Sequence, residues 1–243
     1  MKHSQGRAAE GGWGGALELG SSWALWRGAV GDAAVHRHFA AQVVIGAEPV
    51  QVRDAEGRVV SACCVLIDPL TPHRLERAAS AELIFLEPSR FALAALEPKL
   101  RAIRQVGSLA LLRNAPGAGF WTAWLTSSDL APRPLDRRIA AALATLETVL
   151  SEGPMPLKRA AGETGLSSER FRHLFKEEVG LSFRRFLLWR RLRLAAEHLL
   201  GGCEATAAAH AAGFADAAHL ARTLKSTFGI TASQLRLASS PGP

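Results

Sequence analysis

The chain has little cysteine: three residues, of which Cys63 and Cys64 are adjacent. Three thiols build no disulfide framework, so a reducing compartment is the simpler setting. No run of about 18 apolar residues occurs, which argues against a membrane-spanning helix. The stretch from Met1 to Ala16 is rich in glycine and polar residues and has no apolar core of the kind a secretion signal needs. The expectation is a cytoplasmic protein without membrane contact. What is present excludes the opposite extreme. Hydrophobic residues make up 48% of the 243, too many for a wholly disordered chain. That length fits one large domain or two ordinary ones.

The net charge of +7 is unevenly spread. From Arg133 onward there are 16 Lys+Arg against 10 Asp+Glu, while residues 1–132 hold 13 and 12. The basic excess lies in the C-terminal part, a first pointer to a polyanionic partner there. The composition itself changes across SSDLAPRPLD (127–136), whose Ser, Asp, Pro132 and Pro134 mark a linker. Before it, Trp23–Arg27, Val35–Phe39, Gln42–Ile45, Val50–Arg53, Val59–Ile67 and Glu82–Leu86 read as strands, with Asp54 to Gly57 as a hairpin turn. Short strands at this spacing suggest a small barrel or sandwich. Residues 89–104 read as helical, with Pro98 forcing a new turn or kink.

After the linker the period changes. Leu135, Ile139, Leu143, Leu146 and Leu150 recur every three or four residues and form one helical stripe. Pro154 and Pro156 end that helix and open another at 156–163. Ser167 caps a helix at 168–178, and Gly180 ends it. A long helix follows at 183–200, then 204–211. Asp216 caps 217–227, and Gly229 closes it. Two stretches repeat: GLSSERFRHLFKEEVGLS (165–182) and GFADAAHLARTLKSTFGIT (213–231). At an offset of 49, Phe171 meets Leu220, Phe175 meets Leu224, Lys176 meets Lys225, and Gly180 meets Gly229. Each copy has a short helix, a glycine turn and a capped second helix, the layout of a helix-turn-helix occurring twice.

With FRHLFKEEVG, RRLRLAAEHLL (190–200) and AAGFADAAHLARTLKSTFGITASQLR (211–236) in place, residues 135–237 resemble the AraC/XylS class of bacterial transcription regulators. Ser233 and Leu235 stand where that family usually has Pro and Tyr. The front half is similar to the family's cupin-type sensor, on the strength of VHRHFAAQ (35–42) and IDPLTPHRL (67–75). Cupins often carry His-x-His, an acid four residues later, and a further His after a proline-containing turn. Here these are His36, His38, Gln42 and His73, with Gln in the acid's place. The resemblance implies an α+β two-domain fold: a cupin-like β-barrel with a helical segment, then an all-α domain with two helix-turn-helix motifs joined by a long helix. The expected division is a disordered N-terminus at 1–15, a sensor and dimerisation domain at 16–126, a linker at 127–134, the DNA-binding domain at 135–237 and a tail at 238–243.

A helix fits the major groove and reads base edges from its exposed face. In the first repeat Phe171, Leu174 and Phe175 go to the core, leaving Glu169, Arg170, Arg172, His173 and Lys176 outside. The resemblance aligns Glu169, Arg172 and His173 with base-reading positions. Arg172 suits a bidentate pair to guanine, and Glu169 suits the cytosine amino group. In the second repeat the aligned positions are Ala217, Ala218 and Arg222, with His219 beside them. The first repeat is therefore expected to set most of the specificity. The second would add phosphate contacts, including amides at its helix start near Asp216 and Ala217. The 18-residue linking helix spans roughly 27 Å, enough to hold two reading helices about one DNA turn apart. Lys176, Lys225, Arg184, Arg185 and Arg190 are candidate phosphate contacts, as are Arg191 and Arg193. The alternative for each arginine is pairing with an acid or covering a core edge.

In the sensor half, His36, His38, Ala40 and Gln42 alternate to one face of a strand, and His73 can approach from a neighbour. These residues could hold a divalent transition metal or a small-molecule effector; the alternative is a metal-free polar pocket. Cys63 and Cys64 point to opposite faces and read as packing. Trp13, Trp23, Trp26, Trp121 and Trp124 read as core or pocket lining. Leu93, Leu96, Leu100 and Ile103 fit either a dimer surface or their own barrel. The leading reading is a regulator rather than an enzyme, activated or released by an effector in the barrel. It would act as a homodimer through the N-terminal domain on double-stranded promoter or operator DNA, in contact with RNA polymerase. Against it stand a metal-dependent cupin enzyme with a DNA-binding tail and an effector-independent regulator with a vestigial barrel. A DNA alkyl-repair protein would need a zinc-bound cysteine cluster, which three cysteines do not supply.

Overall fold

A computed structural model describes residues 12–88, 103–105, 134–150 and 155–237. The N-terminal part is one antiparallel sheet of seven strands: β1 Gly14–Leu19, β2 Trp23–Val30, β3 Ala41–Asp54, β4 Val59–Ile67, β5 His73–Leu75, β6 Ala78–Leu86 and β7 Ile103–Gln105. Their order is β1-β2-β6-β3-β4-β7, with β5 paired to β3 off this path. The 14-residue β3 organises the sheet. Its first half pairs with β6 through Ala41–Ile45, and its last residues pair with β5 through Val52–Asp54. Along its whole length it also pairs with β4, but the register shifts between Ile45 and Val50. Pro49 lies in that interval and has no N–H for the ladder, so the strand bulges where it changes partner. The expected strands Gln42–Ile45 and Val50–Arg53 are thus the two arms of one bent strand. The hairpin at Asp54–Gly57 forms, with Gly57 at φ 86 and its N–H donating to Asp54 O.

Three sequence expectations need correcting here. Val35–Phe39 is not a strand: only His36 bridges, to His73. Ile103 and Arg104, assigned to a helix, lie in β7 against Ile67 and Leu66. Strand β1 starts at Gly14, inside the stretch expected to be disordered, because Trp13 and Trp26 meet edge to face at 5.5 Å and anchor it. Residues 89–102 and the linker lie outside the described residues, as do Trp121 and Trp124.

The C-terminal part is helical: α1 Arg137–Val149, α2 Leu157–Glu163, α3 Ser168–Val179, α4 Phe183–Leu200, α5 Ala205–Ala211, α6 Ala217–Phe228 and α7 Ala232–Leu237. Helix α4 serves two cores. Its N-terminal half gives Phe183, Phe186 and Leu187 to a cluster with Ile139, Leu143, Leu146, Phe171 and Phe175. Its C-terminal half gives Leu192, Ala195 and Leu199 to a second cluster with Ala208, Ala209, Phe214, Leu220 and Leu224. A buried leucine or phenylalanine contributes about 1.5–3 kcal/mol, so each two-helix motif is held by its own half of α4. Helix α7 forms despite Ser233 and Leu235. Thr231 and Gln234 make a reciprocal capping box at its start, and Leu235 is buried.

Candidate functional site

The two helix-turn-helix units are α2–α3 and α5–α6. Ser167 caps α3, its hydroxyl accepting from the Arg170 amide at 3.2 Å, and Gly180 closes it in the left-handed region at φ 81. Asp216 caps α6, accepting from the His219 amide at 2.6 Å, and Gly229 closes it at φ 72. Caps and terminal glycines thus stand where the sequence put them, because only a left-handed residue satisfies those last carbonyls.

On α3, Glu169, Arg170, Arg172, His173 and Lys176 are all exposed, while Phe171, Leu174 and Phe175 are buried. On α6, Ala218, His219, Arg222 and Lys225 are exposed and Ala217 is half-buried. The His219 ring also leans edge-on to Phe214 at 5.2 Å. Phosphate contact through the α6 amides meets an obstacle: the His219 amide is already bonded to Asp216. That amide also holds the Asp216 carboxyl below the ordinary carboxylate range, so it remains an anion. The start of α6 carries its own negative charge.

The α4 arginines divide. Arg184 and Arg185 are exposed. Arg190, expected to contact phosphate, instead turns inward. It pairs with Glu87 at 3.4 Å and Glu147 at 3.2 Å and donates to Ser21 O. Arg191 donates to Ala212 O at 2.8 Å and lies over the Phe214 ring at 4.8 Å, bracing the turn before α6. Arg193 pairs with Glu197 and donates to Trp23 O. Sequence spacing could not place Arg190, because the acids it meets are distant: Glu87 lies in the N-terminal half and Glu147 on α1.

Glu87 joins the two halves. It is 2% exposed and accepts from the Trp189 indole at 3.2 Å as well as from Arg190. Phe39 packs edge-on against Phe186 and Trp189. The Ala34 amide donates to Gly229 O at 3.2 Å, and Phe228 stacks on His38 with centroids 6.0 Å apart. The linking helix and the end of α6 are therefore docked on the sensor sheet.

Between them lies a cavity of about 110 Å³. Trp13, Trp23 and Trp26 line its sensor wall; Leu192, Leu224 and Phe228 line the helical wall. The few polar groups at its rim include Glu87, Arg193, His36 and Gln42. The buried indole N–H of Trp26 has no acceptor among the described residues. No sequence signal joined these walls, since they come from opposite ends of the chain.

Next to the cavity, the ring nitrogens of His36, His38 and His73 lie within 4.8 Å of one another, and all three residues are buried. Gln42 Oε1 is 3.2 Å from His38 Nε2 and 3.0 Å from His73 Nε2. Burial pushes the imidazole pKa of His38 down to about 3 and that of His73 to about 2, and lowers His36 as well. The rings are neutral at pH 7. Cys64 is buried and Cys63 half-buried, and neither forms a disulfide.

Two capped helix-turn-helix units on one shared helix, docked beside an antiparallel sheet, define a DNA-binding regulator of transcription. Residues 160–238 match the family model described as a helix-turn-helix domain. Taken with the two capped units, residues 160–238 are a helix-turn-helix domain that binds DNA. The whole fold is similar to that of ToxT from Vibrio cholerae O395. That match has a TM-score of 0.58 at 11% identity, over 91% of this chain and 100% of that one. Wild-type ToxT from Vibrio cholerae strain SCE256, with an unsaturated fatty acid bound, matches at a TM-score of 0.54 and 12% identity, over 91% and 97%. An AraC-type regulator from Chromobacterium violaceum matches over 43% of this chain and 95% of its own, at 25% identity and a TM-score of 0.41. Among curated proteins none matches. No described helix is long and apolar enough to cross a membrane.

Proposed function

We propose that this regulator is controlled by an apolar monocarboxylic acid held in the cavity between the sensor sheet and the DNA-binding helices. The observation that carries the reading is the cavity's double wall: tryptophans of the sensor face Leu192, Leu224 and Phe228 of the domain that holds α6. A ligand there touches both halves and can shift the population of DNA-competent arrangements only through such differential contact. The lining is apolar, which suits a hydrocarbon chain. Arg193 offers a charge for a carboxylate, and the Trp26 indole offers an unused donor. An unsaturated fatty acid bound to the similarly folded ToxT supports the ligand class. On the DNA, α3 reads bases through Glu169, Arg172 and His173, with Arg170 beside them, and α6 reads through Arg222 and His219. Lys176, Arg184, Arg185 and Lys225 contact phosphates. The working unit is a homodimer through the N-terminal domain, acting on promoter DNA with RNA polymerase.

The test is selection of bound duplexes from a random pool by the full chain, with and without an unsaturated fatty acid, beside a calorimetric titration of that acid. One-site binding that changes retention of the selected DNA supports the proposal. Saturable binding that leaves retention unchanged overturns control by the cavity; failure to select any DNA overturns the base-reading assignment.

A further inference from the structure

The three buried imidazoles share one arrangement. His36 Nδ1 lies 2.8 Å from Ala34 O, His38 Nδ1 lies 2.8 Å from Ala40 O, and His73 Nδ1 lies 2.9 Å from Thr71 O. A carbonyl oxygen only accepts, so each Nδ1 carries the proton and each Nε2 is left as a lone pair. Backbone carbonyls holding Nδ1–H are the usual outer support of metal-binding histidines, fixing tautomer and ring angle. The Gln42 side-chain oxygen then faces the lone pairs of His38 and His73 at 3.2 and 3.0 Å. An acceptor set against acceptors is a conflict that a cation removes. The other way to remove it is to turn the amide over, so that its NH2 group donates to both rings.

We propose that His36, His38 and His73, with the Gln42 amide oxygen, bind one divalent transition-metal ion, and that the ion steadies the docked end of recognition helix α6. Three imidazole nitrogens and one oxygen suit zinc, cobalt, nickel, copper or iron rather than magnesium or calcium.

The link to α6 is the Ala34–His36 segment. Gly229 is buried against it: a Cβ at Gly229 would lie 2.6 Å from Ala34 O and 2.7 Å from His36 Nδ1. Ala34 O is also the acceptor that fixes the His36 ring, and the Ala34 amide holds Gly229 O. Phe228 stacks on His38. Ordering His36 and His38 around an ion therefore orders the surface on which α6 ends. The proposal rests on the DNA-binding role of α6 for its consequence, not on the ligand of the cavity.

The experiment is a cobalt(II) titration of the full chain, purified without a histidine tag and stripped with chelator, read by visible absorption and metal content. Hydrogen exchange is measured on the same samples. One equivalent of cobalt per chain is expected, lost in His73→Gln. Affinity should rise by at least an order of magnitude in Gln42→Glu, where a carboxylate meets the ion. Loading should raise protection at 34–36 and 228–230 in the wild type. Absence of a cobalt site in the wild type overturns the metal site and leaves the turned amide, whether or not the folded Gln42→Glu variant binds. Stoichiometric cobalt without a change in exchange at 228–230 overturns the link to α6. Neither readout requires DNA, so failure of the regulator reading is told apart from failure of this one.

Discussion

The two helix-turn-helix units have the same caps and the same closing glycines, yet different surroundings. Around Gly180, nothing lies within 4 Å of the place a Cβ would take. Around Gly229, the sensor segment does. Helix α3 presents six polar, exposed side chains; α6 presents four, His219, Arg222, Lys225 and Ser226, beside the exposed Ala218. The first unit is thus free to specialise in reading sequence. The second is tied at its C-terminal end to the sensor and borders the cavity through Leu224 and Phe228. The two copies of the motif differ in what they touch as well as in their exposed side chains, and the proposed division between recognition and response rests on that difference.

The sharpest way to break this comparison is to replace both closing glycines. Gly180→Ala should cost about 1–2 kcal/mol, the strain of a left-handed residue alone. Gly229→Ala adds a clash with Ala34 O and should cost about 2–4 kcal/mol. Denaturant unfolding of both variants measures the difference, and equal losses would mean that α6 is not docked on the sensor. The next effect concerns α4. Arg190→Leu leaves the buried Glu87 with the Trp189 indole but without the Arg190 cation, and should cost about 2–3 kcal/mol. Arg184→Ala should leave stability unchanged and instead lower the salt slope of DNA binding by about 1. Third, Arg172→Ala should remove about 1–3 kcal/mol of discrimination at one base pair. Arg222→Ala should remove most of the weaker base preference of its half-site, because Arg222 and His219 are the readers that α6 offers. Base-by-base selection with each variant decides it; equally informative half-sites would end the division of labour.

Much of this was legible in the sequence, for reasons that differ by region. Helix boundaries in the C-terminal half could be read because the stripe Leu135–Leu150, the caps Ser167 and Asp216 and the glycines 180 and 229 are all local signals. The histidine cluster was legible in composition but not in shape. His36, His38 and Gln42 are all buried, though only Gln42 lies in a strand, and the segment before it meets the sheet through an isolated bridge at His36. Strand β1 was missed because four of its six residues are Gly, Ala or Glu, weak strand formers that hold only by pairing with β2. The cavity and the inward turn of Arg190 were not legible at all. They depend on residues some 100 to 200 positions apart meeting in space, and no local periodicity records that.

The smallest expected effect separates the two helix starts. Ser167→Ala removes the side-chain cap of α3 and should cost about 1 kcal/mol of stability. Asp216→Asn keeps a cap on α6, since asparagine caps as well as aspartate, but removes a negative charge from the helix end that the proposed reading turns toward DNA. Unfolding near neutral pH should therefore scarcely change. DNA affinity should rise severalfold at low salt, and the gain should fade as salt screens it. The pH dependence follows from the lowered carboxyl of Asp216. Its ionised form stabilises the fold above the ordinary aspartate pKa, and that contribution is lost as pH falls through the lowered value. The variant has no such loss, so acid unfolding should find the wild type slightly the less stable of the two. An affinity unchanged by Asp216→Asn would place the start of α6 away from the phosphates, leaving α3 as the one unit of the pair that enters the groove.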